Sequence, residues 1–141
     1  MSETVLDQLD RCGPYRLAVN RLAELKTTLA DRQWPVCEFT PDKAQSRDEW
    51  LRQLGLSLAL PAHFGANFDA LYDCLCDRAV LDQPALVLIF PDVAALGEEG
   101  SDTLIAVLQA AADEWREQGR RLWALFTAPG LDLDPLPLPL R

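Results

Sequence analysis

The sequence predicts an α/β layer: a small parallel β-sheet of three firm strands, with a fourth candidate at its edge, packed with helices. Three observations carry this. Apolar runs that suit strands alternate with segments of helical period, the order expected of parallel strands joined by crossover helices. One run, "ALVLIF" at 85–90, lacks any polar alternation, as a strand covered on both faces would. The 141 residues, about half of them apolar, suffice for one domain with its own core.

The elements follow in chain order. Residues 1–13 read as a polar, weakly helical lead-in that ends at Cys12-Gly13-Pro14, and "YRLAV" (15–19) is the edge-strand candidate. From Asn20, a suitable N-cap, to Arg32 the residues Leu22, Leu25 and Leu29 recur at helical spacing. Trp34-Pro35 stops that helix, and "VCEF" (36–39) is strand-like. At 46–49 "SRDE" has the form of a capping box, so a helix starts there, buries Trp50, Leu51 and Leu54, and ends near Gly55. "LPAHFG" is a turn, and Asn67 caps a helix over roughly 67–78 whose buried stripe is Phe68, Leu71 and Leu75. After the 85–90 strand, Gly97 to Gly100 reads as a loop. Ser101 or Asp102 then caps a long helix to about Gln118, with Gly119 at the C′ position. "RLWALFT" (121–127) is the last strand. Residues 1–130 are expected to form a single domain in which about 1–34 is a strand–helix extension. The segment 131–141, with Pro135, Pro137 and Pro139, is expected to be a flexible, polyproline-like tail.

Charge narrows the function. With 13 basic and 22 acidic side chains the net charge is −9, which repels nucleic acid and attracts basic partners. The acidic N-terminus does not have the form of a signal peptide, and the longest apolar run is too short to cross a bilayer. The expectation is a cytoplasmic protein, away from membranes, with Cys12, Cys37, Cys74 and Cys76 as reduced thiols. A single histidine makes a zinc site an unusual proposition; neither metal nor cofactor is expected.

One feature asks for a function. Asp69, Asp73 and Asp77 are four residues apart, which stacks three carboxylates on one helix face. Each like-charged pair costs roughly 0.2–0.5 kcal/mol. The acids could simply solvate an exposed face, or they could await a cationic partner.

The stretch "LPAHFGANFDALYDCL" resembles the barstar family of ribonuclease inhibitors: Leu-Pro, an aromatic before Gly65, Asn67, Asp69-Ala70-Leu71, an aromatic, then Asp73-Cys74-Leu75. "RDEWLRQLGLSLALP", "PALVLIF" and the segment from Gly119 to Phe126 extend the similarity over roughly 35–127. The resemblance implies a barstar-like fold and a partner that is a basic ribonuclease or nuclease-like toxin, in an antitoxin-like immunity role, with no catalytic residues. It implies that Asp73 occupies a phosphate pocket, that Asp69 pairs with an enzyme arginine, and that Tyr72 and Glu114 are contacts. His63 would stand where the family has a tyrosine against the enzyme's catalytic histidine. A cationic cleft built for RNA would relieve the repulsion among Asp69, Asp73 and Asp77 by giving each carboxylate charge-assisted hydrogen bonds. Ala66 in place of an acid, Arg78, and two extra residues around "CDRAVLD" (76–82) depart from the family pattern and imply a different enzyme partner. The free protein is expected to be a monomer. Two other classes stay open: an acidic module for another basic protein, and a small enzyme using His63 with Asp69 or Asp73 as an acid–base pair, with Cys37 or Cys74 as nucleophile.

Overall fold

The computed structural model describes residues 4–44, 46–61 and 64–137. Its centre is the pair β3 (Ala85–Phe90) and β4 (Arg121–Phe126), parallel and in register from Ala85 opposite Arg121 to Phe90 opposite Phe126. β1 (Pro14–Arg16) pairs with β4 and β2 (Val36–Glu38) with β3, both parallel, giving the order β1-β4-β3-β2. The expected edge strand is present, shorter than "YRLAV" but on the edge.

Side-chain alternation on the two central strands splits the interior in two. Leu86, Leu88, Phe90, Leu122, Ala124 and Phe126 face the first layer, which is α2 (Arg47–Ser57), α3 (Phe68–Cys76) and α4 (Gly97–Glu117). Val87, Ile89, Trp123 and Leu125 face the second, which α1 (Leu22–Ala30) and residues 4–17 supply. This is why "ALVLIF" carries no polar residue: all six side chains are buried.

Residues 4–13 are far from a loose lead-in. Two 3-10 turns, Val5–Asp7 and Leu9–Arg11, bury Val5 and Leu6, and Trp123 Nε1 donates to the Leu6 carbonyl at 3.1 Å. Thr4 and Asp7 form a reciprocal cap, and Arg32 from the end of α1 reaches Asp7 with Nε at 2.8 Å and a second nitrogen at 2.6 Å. The Arg32 hydrogen bonds hold the Asp7 carboxyl below the usual carboxylate range. Arg116 donates to the Leu9 and Cys12 carbonyls, and Arg121 to that of Asp7. The extension is thus a structural layer, tied down by three arginines.

The tail also differs from expectation. The Arg16 amide donates to the Asp134 carbonyl and the Leu136 amide to the Arg16 carbonyl, each at 2.9 Å, so Arg16 bridges in parallel to Pro135. Leu136 is buried in the second cluster. A proline cannot donate, but its neighbours can, and burying one leucine contributes about 1.5–3 kcal/mol toward holding the segment. Residues 131–137 are therefore docked along the free edge of β1; 138–141 lie outside the described residues.

Three helix boundaries move. α1 follows a 3-10 turn at Val19–Arg21, and Arg21 rather than Asn20 occupies its N-cap, without a side-chain cap bond. α4 starts at Gly97, so the stretch read as a loop is its first turn. α2 runs past Gly55 to Ser57, and that glycine is a packing site within it. A Cβ there would lie 2.6 Å from the Phe64 ring.

Candidate functional site

The loop before α3 and α3 itself are set by local bonds. The Leu60 amide donates to the Gly55 carbonyl at 2.8 Å, and Phe64 rests on the bare backbone of Gly55. The Asn67 side chain accepts the Ala70 amide at 2.8 Å, the capping role expected of it. From that start, Leu71, Cys74 and Leu75 turn inward, and Trp115 of α4 donates Nε1 to the Leu75 carbonyl at 2.8 Å. α3 is thereby clamped against α4 with its opposite face outward.

Asp69 and Asp73 lie on that outward face and are exposed. They line a groove of about 560 Å³ with Tyr72 and, from α4, Thr103, Ala106, Val107 and Ala110. Tyr72 is half-buried. Its phenol is raised above the ordinary value, first by the neighbouring Cys76, then by burial, and last by the charges of Glu114 and Asp73. Glu114 is half-buried and accepts a hydrogen bond from Gln118 Nε2 at 3.3 Å. Asp69, Tyr72, Asp73 and Glu114 therefore share one surface.

Asp77 does not join them on the helix. α3 ends at Cys76, and Asp77 is its C-cap, with φ −88° and ψ 110°. Its carboxylate accepts the Ala79 amide at 2.9 Å. A short aspartate side chain competes well for nearby backbone donors, and here that competition ends the helix. The predicted column of three is a pair followed by a turn. His63 lies outside the described residues.

The α4 side of the groove was not expected. Ala106 and Ala110 stand on the face opposite Leu104, Leu108 and Ala111, a pattern visible in the sequence; that α3 lies beside them is a tertiary fact. Arg47 places its guanidinium carbon 5.9 Å from the centre of the Phe68 ring, bracing the start of α3 from α2.

The chemistry of this surface is that of an acceptor of cations. Neither Asp69 nor Asp73 takes part in an ion pair among the described residues. The thiols point away from nucleophilic catalysis: burial pushes Cys74 up, and Asp73 and Asp77 push it further. Burial likewise raises Cys37. Among the described residues no group of three or more His, Cys, Asp or Glu side chains could hold a metal ion. No described helix is long and apolar enough to cross a membrane.

Compared with known families, residues 34–127 match Barstar, described as "Barstar (barnase inhibitor)". The match spans about two thirds of the chain. The chain belongs to the barstar family. No curated protein matches it. The barstar match begins just before β2 and ends just after β4, so it holds three strands and α2, α3 and α4. β1, α1 and the docked tail lie outside it. α1 and residues 4–17 supply the second layer, across the sheet from α3, while the tail along the edge of β1 sends Leu136 into that layer and rests Leu131 and Leu133 against the first.

Proposed function

We propose that this barstar-family chain inhibits a basic ribonuclease of the barnase type by placing α3 in the enzyme's cationic cleft, with Asp69 and Asp73 in the place of RNA phosphates. A ribonuclease cleft must hold a polyanion, so it presents arginine, lysine and histidine donors. A carboxylate accepts such donors in charge-assisted and, from arginine, bidentate bonds. The observation that carries the proposal is that Asp69 and Asp73 are exposed and, among the described residues, in no ion pair, on a helix clamped to α4. A rigid acidic face loses little conformational freedom on binding, and the surplus of 22 acids over 13 bases speeds encounter with a cationic enzyme. Tyr72 supplies an aromatic contact between the two acids, and Glu114 extends the negative surface from α4. Asp77 serves its turn.

The test is inhibition of purified barnase-type ribonucleases by the parent chain and by Asp73→Ala. Losing a buried charge partner in a complex costs at least about 2–3 kcal/mol, which is on the order of a hundredfold in affinity. Asp73 is exposed in the free protein, so its melting temperature should barely move. A variant that inhibits as well as the parent refutes the phosphate-mimic role.

A further inference from the structure

The α3 groove has a neighbour. On the other side of α4 a second groove of about 420 Å³ is lined by Asp102, Ala106 and Gln109 of α4, by Pro14, and by Asp132 and Asp134 of the tail. Ala106 lines both grooves, so the two adjoin along α4. Asp102, Asp132 and Asp134 are exposed and, among the described residues, in no ion pair. Arg16, close by, directs its Nε to the Leu133 carbonyl at 2.9 Å. The two tail aspartates stand on a backbone pinned to Arg16 at 2.9 Å and anchored by buried Leu136. The barstar match stops at residue 127, so Asp132 and Asp134 lie outside it, while Asp102 lies within it.

We propose that the ribonuclease footprint crosses α4 at Ala106 and continues onto the docked tail, where Asp102, Asp132 and Asp134 receive a second, lysine- or arginine-bearing segment of the same enzyme. This rests on the inhibitor reading of the α3 face. Charge complementarity selects the occupant: a second copy of a chain with net charge −9 would be repelled, and so would nucleic acid. Carboxylates held on a pinned backbone meet a cationic segment without the entropy cost of ordering a free tail. The segment that closes the edge of β1 thus also widens the inhibitory surface.

The experiment measures affinity and its salt dependence for the full chain against the tightest-bound member of a panel of purified barnase-type ribonucleases. Asp132→Asn with Asp134→Asn should weaken binding about tenfold and flatten the salt dependence, as two added surface charge contacts would. Asp102→Asn, on the helix itself, should weaken it about threefold whatever happens to the tail. Asp10→Asn with Asp31→Asn removes the same charge from the N-terminal extension and should change affinity less than about twofold. If Asp73→Ala abolishes inhibition while the tail pair and Asp102→Asn behave like the control pair, the extended footprint is wrong and the α3 reading stands. If the parent chain inhibits no member of the panel, both fall together.

Discussion

The guanidinium carbon of Arg120 lies 3.8 Å from the centre of the Trp115 indole, and both residues are buried. No carboxylate pairs with this cation among the described residues. It donates instead to the Gln83 carbonyl and to Gln118 Oε1, each at 2.9 Å, and to the Leu81 carbonyl. Trp115 meanwhile donates to Leu75. The pair stitches both the end of α3 and the loop after it to the end of α4, so the position of the acidic face depends on a buried cation.

Arg120→Ala should therefore destabilise the protein by about 2–4 kcal/mol, since it leaves the buried carbonyl of Leu81 and the part-buried one of Gln83 without this donor and removes a desolvated cation–π contact. Arg120→Lys should recover only part of this, because an ammonium cannot spread its donors in the flat fork that three separated acceptors need. Urea denaturation of the two variants against the parent measures both effects. A fully stable alanine variant would mean that the loop finds its bonds elsewhere.

That stitching was hidden in the sequence, and the reason is general. Periodicity and end signals are local. They place α3 through Asn67, Leu71 and Leu75, and they mark β3 as doubly covered from six apolar residues in a row. They are silent on what covers it. Leu136 fills the second layer only because Arg16, 120 positions earlier, offers its backbone to the tail. The first turn of α4 looked like a loop because Gly97 and Gly100 flank two acids; the helix starts at Gly97 all the same, and Gly100 there packs against Leu96 with almost no space for a side chain. The family pattern named Asp69, Tyr72, Asp73 and Glu114, and that they fall on one side of α3 and α4 is a tertiary fact. Asp77 stands in the turn after α3 rather than on it, because nothing in an i, i+4 spacing says which turn is the last.

Ala66 adopts φ 51°, the left-handed region, immediately before the Asn67 cap. For a residue with a Cβ that conformation costs roughly 1 kcal/mol or more, a cost that glycine avoids. Ala66→Gly should raise stability by up to about 1 kcal/mol, less the extra entropy that glycine brings to the unfolded chain. If the proposed function holds, affinity should fall slightly at the same time, as the loop leading into α3 becomes freer. Thermal melts and inhibition assays on one variant separate the two effects. A drop in stability would show that the alanine methyl is packed rather than strained.

Cys12 lies in the second layer, and burial there pushes its thiol up to about 11, against an ordinary value near 9, with Arg121 and Arg116 pulling weakly the other way. Well below pH 9 the thiol is protonated whether or not the chain is folded, so it contributes no pH dependence there. Between about 9 and 11 the unfolded chain gives up this proton while the folded chain keeps it, and stability falls with rising pH. Two units of pKa correspond to about 2–3 kcal/mol lost across that window. Replacing Cys12 by alanine removes the titrating group. The variant should start less stable, by the cavity it leaves, yet lose less between pH 9 and 11 than the parent does. Denaturation midpoints at pH 7.5, 9 and 10.5 decide it: parallel declines in parent and variant would mean that the alkaline loss comes from tyrosines or lysines, and that the N-terminal layer opens before Cys12 is asked to ionise.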